Sequence, residues 1–179
     1  MNICFTKVTI EDKPILEGLA SLYCHDLDEY LCHEEQADMN AKGLLEYGGL
    51  ELYFTEEEFS PYFIKYRGII IGFCLLQTGV YAYPGEDYIV GAYFILKKYR
   101  RQGMGREASG QLFESYPGKY RISQFMRNQP AIRFWKHVYA YYDIKFIELE
   151  QEIGNQSCSV QIFSTDSLHS RVSKHEMNS

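Results

Sequence analysis

No apolar run in this 179-residue chain is long enough to span a bilayer; the longest are short and interrupted. The N-terminus, MNICFTKVTIEDK, sets acid and base ahead of any apolar stretch, so it lacks the form of a secretory leader. A soluble, cytoplasmic protein without a membrane partner is expected. Cysteine is sparse and odd in number, with five residues at 4, 24, 32, 74 and 158. That pattern argues for reduced thiols. Metal spacing is missing too: Cys24 and His25 with Cys32 and His33 match no usual zinc layout, so no metal is expected. The chain also lacks repeats and any interdomain linker, which points to one domain over 1–164 and a polar, patternless tail over 165–179.

Negative charge is nearly absent from one stretch. Between Lys97 and Lys136 ten basic residues face only Glu107 and Glu114, a net +8 that leaves −14 for the rest of a chain of net charge −6. Such a division suggests an anionic ligand on the basic half and a cationic one approaching the acidic half. Nucleic acid is not the expected partner, because no nucleic-acid-binding motif accompanies the charge.

Periodicity orders the elements. CFTKV (4–8) reads as a strand, and Thr9 as the cap of a helix whose apolar positions are Ile15, Leu16, Leu19, Leu22 and Tyr23. Residues 26–58 are acidic, rich in tyrosine and weakly periodic, as expected of short helices and loops. YFIKYR and IIIGFCLLQT form a hairpin about Gly68, and DYIVGAYFIL (87–96) a third strand apolar enough to be buried on both faces. A helix starts near Met104 and stops at Pro117-Gly118; KYRISQFM is a strand. Asn128, with Pro130 in the first turn, opens a second helix, AIRFWKHVY. A last hairpin turns at Gly154-Asn155.

The stretch YFILKKYRRQGMGREASG (93–110) joins strand to helix through basic residues and glycines. A helix that begins this way offers unpaired N–H groups at the positive end of its dipole, a place for phosphate. Two nucleotide loops are excluded by what is missing. Without GxxxxGK[ST] there is no P-loop lysine or magnesium hydroxyl. The run from Gly103 to Ala108 satisfies the dinucleotide fingerprint, but no acid lies between Glu114 and Asp143 to hold a ribose, and only about 75 residues follow, too few for the remaining strands.

What remains, Arg100-x-x-Gly103-x-Gly105 after an apolar strand, resembles motif A of the GNAT N-acetyltransferases, [QR]-x-x-G-x-[GA]. NQPAIRFW (128–135) is similar to that family's next strand-helix unit. The resemblance covers about residues 3–164. It implies an α/β fold of the α+β type: a mixed, mostly antiparallel sheet of six to seven strands, flanked by helices and split after the motif A strand. It implies acetyl-CoA as cosubstrate, acetyl transfer to a primary amine, and a monomer or homodimer. Tyr93, Phe94, Ile95 and Leu96 would pair with the pantetheine amides, Ile95 foremost. Arg100, Arg101, Gln102, Gly103, Met104, Gly105 and Arg106 would wrap the pyrophosphate. Asn128, Ala131 and Trp135 would complete the cofactor site.

The same comparison exposes a gap in the catalytic set. Trp135 stands where relatives often carry an acid tyrosine, and Ala92 lies near where many place a glutamate. Tyr139, one helical turn beyond Trp135, is the expected replacement acid, with Tyr141 and Tyr142 nearby. Glu86 and Asp87, or a water, are the candidate bases. The segment after the first helix, with Tyr23, His25, Asp26 and Tyr30, would line an acceptor pocket suited to a cationic amine. A second outcome is a binding module for acyl-CoA that no longer catalyses.

Overall fold

The computed structural model describes residues 2–31, 36, 38–166 and 168, apart from the side chain of Val80. Cys32, His33 and residues 169–179 of the expected tail lie outside them. The elements run β1 (Ile3–Lys7), α1 (Lys13–Asp28), α2 (Leu52–Thr55), β2 (Phe59–Tyr66), β3 (Ile69–Thr78), β4 (Tyr88–Ile95), α3 (Met104–Ser115), β5 (Lys119–Phe125), α4 (Gln129–Tyr142), β6 (Phe146–Ile153) and β7 (Gln156–Ser164). The strands form one seven-stranded sheet in the order β1-β2-β3-β4-β5-β7-β6. Every pairing is antiparallel except β4 with β5, because the crossover through α3 returns the chain in the direction in which it left.

Alternate residues of the central strands serve two cores. Phe73 and Leu75 of β3 join Leu16 and Leu19 of α1 in one; Cys74 and Leu76 join Ala108, Leu112, Trp135 and Val138 of α3 and α4 in the other. In β4 this alternation breaks at a single point. Val90 belongs to the α3/α4 core and Ala92, two residues on, to the α1 core. The register explains the switch: Leu76 pairs with Val90 and Leu75 with Ala92, so Gly91 is an extra, bulged residue. Glycine fits closely there: a Cβ would lie 2.7 Å from the Tyr53 hydroxyl and 2.9 Å from Gln77 Nε2, so those side chains would have to shift.

Three expectations are corrected. Helix α1 is capped at Asp12 rather than Thr9, with Pro14 in its first turn where a missing N–H costs nothing. Its buried stripe is Leu16, Leu19, Ala20 and Cys24, which leaves Ile15 and Leu22 exposed. Thr165 is not the start of a free tail: it is buried, and its N–H donates to Gly118 O at 2.9 Å. No helix among the described residues is long and apolar enough to cross a membrane.

Candidate active site

Strands β4 and β5 share only three ladder pairs, Tyr88 with Tyr120, Ile89 with Arg121 and Val90 with Ile122. Beyond these, β4 stays paired to β3 as far as Ile95 and β5 to β7 as far as Phe125, so the two strands part and each turns one backbone edge into a wedge. Buried backbone donors and acceptors require partners. An extended chain carrying amides is what two facing strand edges can take. The wedge opens into a groove of about 720 Å³ lined by Tyr93, Phe94 and Ile95 of β4, by Asn128, Ala131 and Phe134 of the β5–α4 segment, and by the start of α3.

At the mouth, the loop after β4 is built to present N–H groups. Arg100 Nε donates to Ile95 O at 2.6 Å and Gln102 Nε2 to Lys98 O at 2.7 Å, which curl the chain back on itself. Arg101 (φ 60°) and Gly103 (φ 78°) adopt left-handed backbone, the second as the N-cap of α3. Gly103 supplies no side chain to cap the helix, so the first-turn N–H groups keep their capacity for an external anion. Arg106, also on the groove, stacks its guanidinium 3.9 Å from the Tyr141 ring centre, and its buried Nε has no partner among the described residues. An uncapped helix start, a left-handed glycine and an orphaned arginine N–H fit a pyrophosphate.

Behind this loop the strand is locked to α3. Tyr93 Oη donates to Gly105 O at 2.7 Å, and Ser109 Oγ donates to the same oxygen at 2.9 Å. Burial drives the Tyr93 phenol well above its ordinary pKa, so it stays protonated and keeps donating. Gly105 leaves room for Phe134, whose ring would lie 3.1 Å from a Cβ there and which stacks on Tyr93 at 5.9 Å. Asn128 caps α4 by accepting from Ala131 N at 3.1 Å, and this turns its side chain to the groove wall.

The facing wall comes from the end of α1, where Tyr23, Asp26, Leu27, Glu29 and Tyr30 line the groove. Asp26 is not a free counter-charge for an amine. It is paired with Arg100 Nη2 at 2.6 Å and Lys97 Nζ at 3.0 Å. Partial burial opposes its charge, but hydrogen bonds from Arg100 and Lys97 outweigh that effect and hold its carboxyl below the usual range. Tyr23 packs edge-on to Phe73 and Phe94, and burial pushes its phenol far above the ordinary tyrosine value.

Several expected residues are not brought here. Tyr139 is fully buried in the α3/α4 core; its hydroxyl donates to Gln161 Oε1 at 3.1 Å and is absent from the groove wall. Glu86 and Asp87 precede β4 at the closed end of the wedge, about 20 Å along the strand from Tyr93. There Glu86 forms a bidentate pair with Arg121 at 2.7 and 2.9 Å, and Asp87 accepts from Lys119 N at 2.8 Å. His25 is exposed on α1 and does not line the groove, Trp135 is buried against Tyr93 and Tyr139, and Leu96, Gln102 and Met104 support the loop without lining the groove. The structure adds Leu27, Lys97, Pro130, Phe134 and His137. Ala131, Phe134 and His137 recur at three-residue spacing along one side of α4, a signal present in the sequence.

A mixed sheet split at its one parallel pair, with an uncapped helix start at the mouth of the split, is the fold of an acetyltransferase. More narrowly, residues 19–139 match the Acetyltransferase (GNAT) family model, and the chain belongs to that family. An acetyltransferase from Thermus thermophilus superposes with a TM-score of 0.65 at 13% identity, covering 90% of this chain and 96% of that one. An aminoglycoside acetyltransferase in complex with coenzyme A gives 0.67 at 15% identity, over 95% and 98%. The ribosomal-protein-S18-alanine N-acetyltransferase of Escherichia coli gives 0.58 at 12% identity, over 91% and 94%. These identities establish shared architecture. No curated protein sequence matches the chain.

Proposed function

We propose that the chain transfers an acetyl group from acetyl-CoA to a primary amine. The observation that carries this is the wedge between β4 and β5, continuous with the uncapped start of α3. When bound, acetyl-CoA supplies an acyl group activated as a thioester. The edges of Gly91–Ile95 and residues 123–125 would hold its amide-bearing arm, and the N–H groups from Gly103 to Arg106 its pyrophosphate, with charge from Arg101 and Arg106.

The α1 end would receive the amine. Tyr23 lines that end with a phenol that burial keeps protonated, which makes it a weak proton source. Asp26 is occupied by Arg100 and Lys97, which leaves Glu29 and His137 as proton acceptors on the groove wall. A second reading, an acyl-CoA-binding module without turnover, is favoured by the distance of Tyr139, Glu86 and Asp87 from the groove. Release of free coenzyme A from acetyl-CoA, measured over a panel holding a polyamine, an aminoglycoside and a peptide with a free α-amine, separates the two. Amine-dependent release supports transfer. Tight acetyl-CoA binding with no release on any amine contradicts it.

A further inference from the structure

Among the charged side chains on the groove wall, Lys97, Arg100, Arg101 and Arg106 are cations, and Asp26 and Glu29 are carboxylates. One carboxylate has captured two of the cations. Asp26, near the end of α1, accepts from Arg100 Nη2 at 2.6 Å and lies 3.0 Å from Lys97 Nζ, where the loop after β4 begins. That bridge is not what shapes the loop. Arg100 is anchored independently, by Nε donating to Ile95 O at 2.6 Å and by its place 5.2 Å from the Phe94 ring centre, while Gln102 Nε2 donates to Lys98 O in the next turn. What Asp26 changes is charge: two of these four cations beside the phosphate loop are already compensated.

The pairs are placed where they can exchange. The side chains of Arg100 and Lys97 are 38% and 74% exposed and that of Asp26 is 21% exposed. Ion pairs so open to water are weak, whereas a phosphate brings more charge and more acceptor oxygens to the same donors. A phosphate drawing on Arg100 and Lys97 would stand beside the Asp26 carboxylate, and two anions at that range repel. We propose that Asp26 is an autoinhibitory counter-ion: it occupies Arg100 and Lys97 in the free protein, a phosphate-bearing ligand takes them from it, and it recaptures them as that ligand leaves. The inference rests on the acetyl-CoA reading above and concerns a residue that opposes the ligand rather than one that holds it. Its consequence is a weaker grip on coenzyme A, and a faster release of that product, than the basic loop alone would give.

Coenzyme A is the probe, titrated by calorimetry into wild type, Asp26→Asn, Asp26→Ala and Asp28→Asn, with its release timed by displacement. Asp28 controls for net charge, since it is on the same helix but not on the groove wall. Both Asp26 variants should bind coenzyme A about fivefold more tightly and release it more slowly, while Asp28→Asn stays within about twofold of wild type. In urea without ligand the Asp26 variants should be less stable than wild type. Saturating coenzyme A should narrow that gap, because the bridge is then broken in wild type too. A gap and an affinity that both stay unchanged would make the bridge a purely structural tie and overturn the proposal. Weaker binding by the Asp26 variants, or an equal gain for Asp28→Asn, overturns the assignment of Asp26 alone. A wild-type protein that does not bind coenzyme A overturns the cofactor reading, and the role of Asp26 falls with it.

Discussion

The carboxylate of Asp26 ties the end of α1 to a loop 74 residues away, through Arg100 and Lys97. Its folded-state pKa is lowered, so the stability it contributes is present above the unfolded value near 4 and is lost as pH falls through the folded one. Asp26→Asn should therefore be less stable than wild type in urea at pH 7, and the difference should narrow as pH falls below about 4. A gap that stays constant as pH falls would show that the ion pair is not its source. Tyr139 makes the opposite case, a residue whose chemistry is spent on structure. Tyr139→Phe should cost about 1 kcal/mol in denaturation, by stranding Gln161 Oε1, and change the rate of acetyl transfer less than twofold. A hundredfold loss of rate would restore it as an acid.

At the scale of the element, β4 carries most of the design. Gly91 shifts the alternation, so that Tyr93 and Ile95 face α3 while Phe94 faces α1. One strand thereby furnishes the wedge edge, the lock to α3 and a wall toward α1. Its other end is held by the pair of Glu86 and Arg121, whose side chains are 5% and 10% exposed. Glu86→Gln leaves the Arg121 charge poorly compensated and should cost about 3 kcal/mol of stability. Acetyl-CoA affinity should stay within about twofold of wild type, as the pair sits at the closed end of the wedge. A shifted pH profile of turnover with unchanged stability would instead make Glu86 a base.

Across the whole molecule, what was legible in the sequence is what local spacing encodes. The order of strands and helices, the glycines after β4 and the Asn128 cap all follow from residues within a turn of one another. Direction was harder. Trp135 and Tyr139 are one turn apart and share a face, but that face packs on Phe146 and Phe163, while the groove side of α4 is Ala131, Phe134 and His137. Asp26 reads as an open carboxylate until the fold brings Arg100 to it. Gln124, an inward position between Ile122 and the strand end, reads as packing, and only the three-dimensional surroundings show that its amide has no partner among the described residues.

On the proposed function, the parting of β4 and β5 holds acetyl-CoA. A crystal structure of the chain with acetyl-CoA tests it most directly. The arm should run between Gly91–Ile95 and residues 123–125, its amides bonded to both strand edges, with the pyrophosphate on the N–H groups of Gly103 to Arg106. Density for the ligand elsewhere, with the wedge closed by direct pairing of β4 to β5, would contradict it.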